Sequence, residues 1–596
     1  MSDKVADRRT NKADVFRPLV MSLVIGVLVA DPVLAATKSR PPSAYGLYLA
    51  GRQALAEGEV RQGADMLSRA AGLDPTSADL KTQAFLSALF TGDLGTAARL
   101  APVSQDAPRA IVWAGALANA VKAMDDQKGR DALAALDRAN AIMPGEDVVL
   151  YLRPWALAQK GDWKAALTPV VSDDPQGLSA LILEHGRALR LEMRGRQAEA
   201  ETVYKTLMAS RAKTLFALSY GEFLERRGRA DEARAVFTEL LDGVPEDSQV
   251  KAALHRLEQK AAAPAAPSLK SGAAMALNYG SALLQAQRQS EMSLAVNRMA
   301  LALDPAFDRS WIMVAQSLER MEQTQAATEA YGQIGPDSPF YVEAQVRLIW
   351  LDQTAQRPEA ALSRSRSLVQ AQPASLQAVL ALSELLRTQK QTAASVKVIE
   401  DWRNQYGETA LTWRALFSYG ISLEADGRWT EAESALQKAL QLSPEQPEIL
   451  NFLGYSWIDR GVKIEEGMGL VRKALAARSD SGAMLDSLAW GHYRLGQYQL
   501  ALELTEQAVQ LEPGDPEINA HLGDIYLAVG RSREAVFQWR RALSLEPADK
   551  LKAELEQKLS RHAPVKSGPG TQVPVIAGAS GSKTMPAPKV PGPSVP

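Results

Sequence analysis

The 596-residue chain contains no cysteine. That excludes disulfides, thiol catalysis, cysteine-ligated zinc and a lipid-modified amino-terminal cysteine. Aromatic residues make up only 6% of the chain, which argues against sheets and suits alanine- and leucine-rich helices. Net charge is also lacking. A formal −2 leaves no electrostatic footprint for nucleic acid. No apolar run is long enough to cross a bilayer comfortably: the longest candidate, residues 19–30, falls short of the roughly 20 residues a spanning helix needs. The five histidines (His185, His255, His492, His521 and His562) show no H-E-x-x-H or other ligand spacing, and no phosphate-binding loop, dinucleotide fingerprint or G-x-S-x-G elbow occurs. Acidic pairs such as Glu465–Glu466 carry no catalytic geometry by themselves. The sequence therefore predicts neither an enzyme nor a cofactor.

What is present is a period. In residues 411–548 a helix–turn–helix unit is written four times. The turn glycines Gly427, Gly461, Gly496 and Gly530 are spaced 34, 35 and 34. Small residues recur with them: Gly420, Gly454, Ala489 and Gly523 in the first helix of each unit, Ala432, Gly467, Ala501 and Ala535 in the second, then Ala439, Ala474, Ala508 and Ala542. Pro444, Pro513 and Pro547 close three units, and Ser479 takes that place in the other. Antiparallel helices approach closely only where side chains are small, because interiors are packed solid. Glycine supplies the left-handed turn, and proline stops the following helix.

These residues resemble the tetratricopeptide repeat (TPR). "LGDIYLAVGRSREAVFQWRRALSLEP", from Leu522 to Pro547, carries the family's small, aromatic, turn and closing residues in register. "LGYSWIDRG" and "LDSLAWGHYRLGQYQLALELTEQAV" follow with small departures, including one extra residue between Gly461 and Glu466. The resemblance implies an all-α, right-handed superhelical solenoid of antiparallel helix hairpins, roughly a dozen of them.

The rest of the chain is assigned around this stretch. Residues 1–36 read as a secretory signal peptide: Lys4, Arg8, Arg9, Lys12 and Arg17 precede the apolar run, and Val33-Leu34-Ala35 offers a cleavage site. The expected location is periplasmic, with inner-membrane anchoring by an uncleaved signal as the alternative. Residues 43–258 form an amino-terminal TPR-like array. Gly51, Gly58, Gly63, Ala70 and Pro75 mark its first copy, and Gly221, Gly228, Ala233, Phe237 and Pro245 its last. Residues 259–272, "QKAAAPAAPSLKSG", read as a Pro/Ala linker, a candidate hinge between two arrays, with an ordered loop between adjacent repeats as the alternative. Residues 273–410 form a degenerate TPR-like middle section, with Tyr279, Trp311, Ala327, Tyr331, Ala361 and Ala394 as register marks. Residues 549–562 form a capping helix with Leu551, Leu555 and Leu559 on one face. Residues 563–596 are a Pro/Gly-rich tail expected to be disordered. Its Lys566, Lys583 and Lys589, with no acid beside them, allow weak contact with an anionic envelope surface.

The family's usual working surface is the concave groove lined by first helices. By register, that surface here carries Asn451, Tyr455, Asp486, Trp490, Tyr493, Arg494, His521 and Asp524. Aromatic anchors with a polar rim suit protein or peptide segments, and Arg494 is placed to pair with an acidic group on a partner. Some relatives grip a terminal carboxylate with a Lys/Asn/Arg clamp. This groove has Asn451 and Arg494 but lacks the lysines, so that chaperone-type activity is not implied. The expected function is a protein-binding scaffold in the cell envelope, supporting assembly of a secretion, pilus or polysaccharide-export complex. The alternative is an accessory subunit that positions a periplasmic carbohydrate or peptidoglycan enzyme.

Overall fold

A computed structural model describes residues 42–103, 107–169, 174–244 and 247–562. The signal-peptide and tail assignments lie outside the described residues. Within them the chain forms thirty α-helices and no strand. Consecutive helices pair as antiparallel hairpins, fourteen in all, with Ser248–Glu258 and Asp549–His562 standing alone.

The repeat period runs through the described chain with one interruption, between Gly228 and Arg288, where Ser248–Glu258 stands alone; glycine does not mark every turn of it. Turn residues with positive φ fall at Gly58, Gly92, Gln127, Gly161, Gly195 and Gly228, then at Arg288, Glu322, Gln356 and Lys390, then at Gly427, Gly461, Gly496 and Gly530. In the middle section four consecutive turns, each 34 residues from the last, place a non-glycine residue in the left-handed region. Such placement costs roughly 1–2 kcal/mol per residue. The close-approach positions change there too. Where the carboxy-terminal hairpins use Gly420 against Leu436 and Gly523 against Trp539, the middle ones pair Ser281 with Ser293 (Oγ–Oγ 2.8 Å) and Ser383 with Ser395 (2.9 Å). Each serine pair is fully buried and satisfies its own hydroxyls. Ala394, expected to mark the last middle unit, is exposed; Ser395 occupies that inward position.

The chain divides into two compact units, residues 1–408 and 409–596. In the first, the 259–272 stretch is an extended loop over residues 261–268 that leads into the helix Leu269–Ala286. It has the form of the ordered-loop alternative, because the two helices after it pack back on the preceding array. Leu269–Ala286 packs on Asp147–Lys160 and Leu178–Met193, and Ser290–Leu303 packs on Ala78–Thr91 and Arg109–Asp125. Gly272 and Gly280 permit this return: a Cβ on Gly272 would lie 2.1 Å from the Trp155 ring, and one on Gly280 2.6 Å from Val148. Lys270 pairs with Asp125 at 2.7 Å, and Arg298 Nε donates to the Phe90 carbonyl at 2.9 Å. The prolines break the helix, but the small residues after them dock the next one.

The second unit stacks four hairpins: Trp413–Ala425 with Trp429–Leu442, Pro447–Asp459 with Ile464–Ala477, Gly482–Arg494 with Tyr498–Leu511, and Pro516–Ala528 with Ser532–Ser544. Ala432, Ala439, Ala474, Ala489, Ala501, Ala508, Ala535 and Ala542 are all fully buried. The extra residue of the second hairpin is absorbed at Lys463, whose φ is 48°. Its ammonium then meets Glu433 at 2.7 Å and lies over the Trp457 ring. Asp549–His562 closes the stack, burying Leu555 and half-burying Leu551 and Leu559.

Candidate protein-binding groove

Three first helices of the second unit, Pro447–Asp459, Gly482–Arg494 and Pro516–Ala528, touch one another in sequence. A helix places residues three and four apart on one face, so Trp490 and Tyr493 share a face of the middle helix. Their rings stack with centroids 4.6 Å apart, 10° from parallel. On its other side Trp490 stacks on His521 of the next helix, at 4.0 Å and 12°. Tyr455 of the preceding helix tilts against His521 at 6.4 Å. The four rings form one continuous patch across three repeats.

Polar groups fix each ring. The Trp490 indole N–H donates to Asp459 Oδ1 at 3.2 Å, and the Tyr455 hydroxyl donates to Glu517 Oε1 at 2.8 Å. His521 Nδ1 meets Asp486 Oδ2 at 2.7 Å, and both side chains are buried. Burial alone would depress His521. The charge and hydrogen bond of Asp486, together with the carboxylates of Glu517 and Asp524, outweigh it and push His521 up to about 9. At neutral pH the centre of the patch therefore holds an imidazolium–carboxylate pair. The Tyr455 and Tyr493 hydroxyls are raised, first by burial and then by neighbouring carboxylates.

The structure brings Tyr455, Asp486, Trp490, Tyr493 and His521 together. Asp524 acts on His521 and Tyr493 through its charge, but its oxygens accept from Trp539 Nε1 at 3.0 Å and from Lys558 of the capping helix at 2.7 Å. Arg494 is exposed, but its Nη1 donates to the Asp459 carbonyl, so it braces a turn instead of facing outward unengaged. Asn451 is half-buried, and its Oδ1 has no partner among the described residues. Trp490 is 9% exposed. It forms the floor of the patch, and the half-exposed Tyr455 and Tyr493 form its accessible edge. Sequence reasoning missed Asp459 and Glu517. Glu517 lies 62 residues from Tyr455, and no local pattern connects them.

Tetratricopeptide-repeat family models match residues 492–558, 186–248 and 403–447. The chain is 29% identical over 218 residues to TPR repeat-containing protein PA4667 of Pseudomonas aeruginosa, covering 36% of each protein. It is 25% identical over 510 residues to cellulose synthase operon protein C of Pseudomonas fluorescens, covering 78% of this chain and 38% of that one. The chain thus spans little more than a third of the length of these relatives. Among solved structures, the APC/C hetero-tetramer Cut9–Hcn1 aligns over 87% of this chain and 96% of its own, with 14% identity and a TM-score of 0.38. The chain carries tetratricopeptide repeats and resembles proteobacterial TPR proteins. Such repeats generally bind protein or peptide partners and are generally non-enzymatic.

Proposed function

We propose that the protein is a scaffold of the bacterial cell envelope, and that the ring patch of the second unit receives a partner segment during assembly of an envelope complex. The Tyr493–Trp490–His521 stack carries this reading. Buried floor rings with half-exposed tyrosines at the edge and carboxylates on the rim give an anchor surface whose geometry is set before binding. Asp459 and Glu517 are exposed, so the preferred partner carries an apolar side chain flanked by lysine or arginine. The signal-peptide pattern of residues 1–36 supports the envelope location. The similarity to cellulose synthase operon protein C favours polysaccharide export among the envelope processes. It equally motivates the second reading, a subunit that positions a carbohydrate enzyme.

A pull-down from periplasmic extract tests both, with the chain lacking residues 1–36 as bait and a Tyr455→Ala, Tyr493→Ala double variant as control. Subunits of an envelope machine recovered by the wild type alone support the scaffold. Recovery of a single hydrolase or transferase supports the second reading. Equal recovery by both baits would remove the groove from the account.

A further inference from the structure

The outward face of the last hairpin differs from the three before it. Its second helix, Ser532–Ser544, turns Ala535, Val536, Trp539 and Ala542 inward, and all four are buried. The close approach of Gly523 to Trp539 fixes that orientation against Pro516–Ala528. Arg533, Phe537, Arg540, Arg541 and Ser544 follow helical spacing on the opposite side, and all five are exposed. The Phe537 ring is 68% exposed. At the same outward place the preceding hairpins carry Ser434, Gly469 and Glu503. The charge on this face is also unspent within the protein. Elsewhere in the second unit arginines engage the chain's own carboxylates, as Arg428 does Glu431 and Arg460 does Glu424, both at 2.6 Å. Glu534, the one carboxylate of Ser532–Ser544, is taken by Arg531 at 3.0 Å. Among the described residues Arg533, Arg540 and Arg541 make no ion pair.

We propose that this face docks on an anionic lipid bilayer, with Phe537 entering the interfacial layer and the three guanidiniums on lipid phosphates. Charge selects an anionic surface: three guanidiniums stand against one acid that register places beside them, Glu503. The planar guanidinium fork matches a phosphate. Shape selects a bilayer over a folded partner. Phe537 projects from an outward helix face, so a protein would have to bring a whole pocket to receive it, whereas a bilayer yields around an apolar side chain at its head-group boundary. The long arginine stems let the ring descend while the charges stay among the head groups. The chain also continues from this end of the array as residues 563–596, which hold Lys566, Lys583 and Lys589 and no acid, and a basic stretch adds attraction to the same surface. The inference does not depend on what the ring patch of the groove binds. That patch lies on first helices, and this face lies on a second helix turned away from its own first helix, so docking leaves the patch uncovered.

The test mixes the chain lacking residues 1–36, which keeps every described residue, with vesicles of phosphatidylcholine alone or with phosphatidylglycerol, and separates bound from free protein by flotation. Binding to the phosphatidylglycerol vesicles only, weakened by added salt, is expected. A triple variant, Arg533→Gln, Arg540→Gln and Arg541→Gln, should bind about a hundredfold more weakly, from about fivefold per basic residue. Phe537→Ser should weaken binding several-fold. All four side chains are exposed, so circular dichroism melts of both variants should match the wild type. The chain has no cysteine, so Ser544→Cys can carry an environment-sensitive dye on the face itself, with Ser434→Cys as the control. Vesicles containing phosphatidylglycerol should shift the emission of the first to the blue and leave the second unchanged. Ending the chain at residue 562 should preserve the preference for phosphatidylglycerol. The proposal is overturned by equal binding to both vesicle types or to neither, by wild-type affinity in the triple variant, by equal dye responses at the two positions, or by loss of all binding when the chain ends at residue 562. Polyglutamate bound as tightly as the vesicles, with Phe537→Ser unchanged toward both, would assign the face to an acidic protein segment and overturn it as well.

Discussion

Replacing Asp486 by asparagine should abolish most of the pH dependence of the second unit's stability above neutrality. In the wild type, His521 titrates near 9 when folded and near 6.5 when unfolded. The folded state thus binds the proton more tightly. The resulting stabilisation is complete below pH 6.5, shrinks as pH rises, and is gone above about 9. The difference corresponds to roughly 3 kcal/mol. It is the net of the attraction to Asp486, Glu517 and Asp524 and the opposing cost of burying the imidazolium. Without the Asp486 carboxylate, burial dominates and His521 folds as a neutral ring. Asp486→Asn should therefore be less stable than wild type at pH 6, by roughly 3 kcal/mol, and should approach it at pH 9.5. Denaturant unfolding monitored by tryptophan fluorescence at pH 6, 7, 8, 9 and 9.5 measures this, and the histidine NMR titration assigns the proton. The loss should stay close to the repeats that touch Gly482–Arg494, because a stacked array has nearest-neighbour contacts. Parallel pH profiles for the two proteins would refute the reasoning, since they would show that the proton on His521 does not depend on Asp486.

Trp490→Ala should cost about 3–5 kcal/mol, the usual range for emptying a buried aromatic site; a loss under 1 kcal/mol in thermal or chemical unfolding would show that the ring is not part of the packed floor. Gly523→Ala puts a Cβ 2.4 Å from the Trp539 ring, and about 1–3 kcal/mol should be lost as the hairpin is forced apart; an unaltered melting profile would contradict the close approach. Gln356→Gly removes a left-handed non-glycine turn. The relief of strain, less the added freedom of the unfolded chain, should raise stability by up to about 1 kcal/mol, and a destabilised variant would place the native interactions of Gln356 above its strain.

The uneven legibility of the fold follows from which residues solve the close-approach problem. In residues 411–548 the solution is glycine or alanine, and the period is visible by eye. In the middle section the same geometry is met by Ser281 with Ser293 and Ser383 with Ser395, whose hydroxyls pair with each other. The left-handed turn there is held by Arg288, Glu322, Gln356 and Lys390. A reader who looks for small residues and glycines loses the register at these points, as the misplacement on Ala394 shows. Short second helices compound the loss: Trp163–Ala166 has 4 residues and Leu94–Leu100 has 7. The spacing of the turns is nevertheless kept at 33–35 residues from Gly58 to Gly228 and at 34 from Arg288 to Lys390, because the helix and loop of each unit trade length and several residue choices satisfy the turn.

The groove divides in the same way. Register placed Tyr455, Trp490, Tyr493 and His521 on one surface because helical spacing alone decides that. It could not supply Glu517 and Asp459, which fix the rings, or the Lys558 contact that draws Asp524 to the cap. Those contacts join residues between 31 and 62 apart and depend on side-chain reach across adjacent helices. Arg494 shows what register alone leaves out. An exposed cation in a groove was expected to meet a partner's acid, yet the nearest unsatisfied acceptor is the carbonyl at the end of the preceding helix, and Arg494 takes it. Helix ends leave carbonyls without intrahelical partners, and every stacked hairpin brings such an end beside the next first helix. A long cation at that register is recruited to the turn before any partner arrives. Carboxylates remain on the exposed rim of the candidate groove, and the proposed preference for a basic segment rests on them.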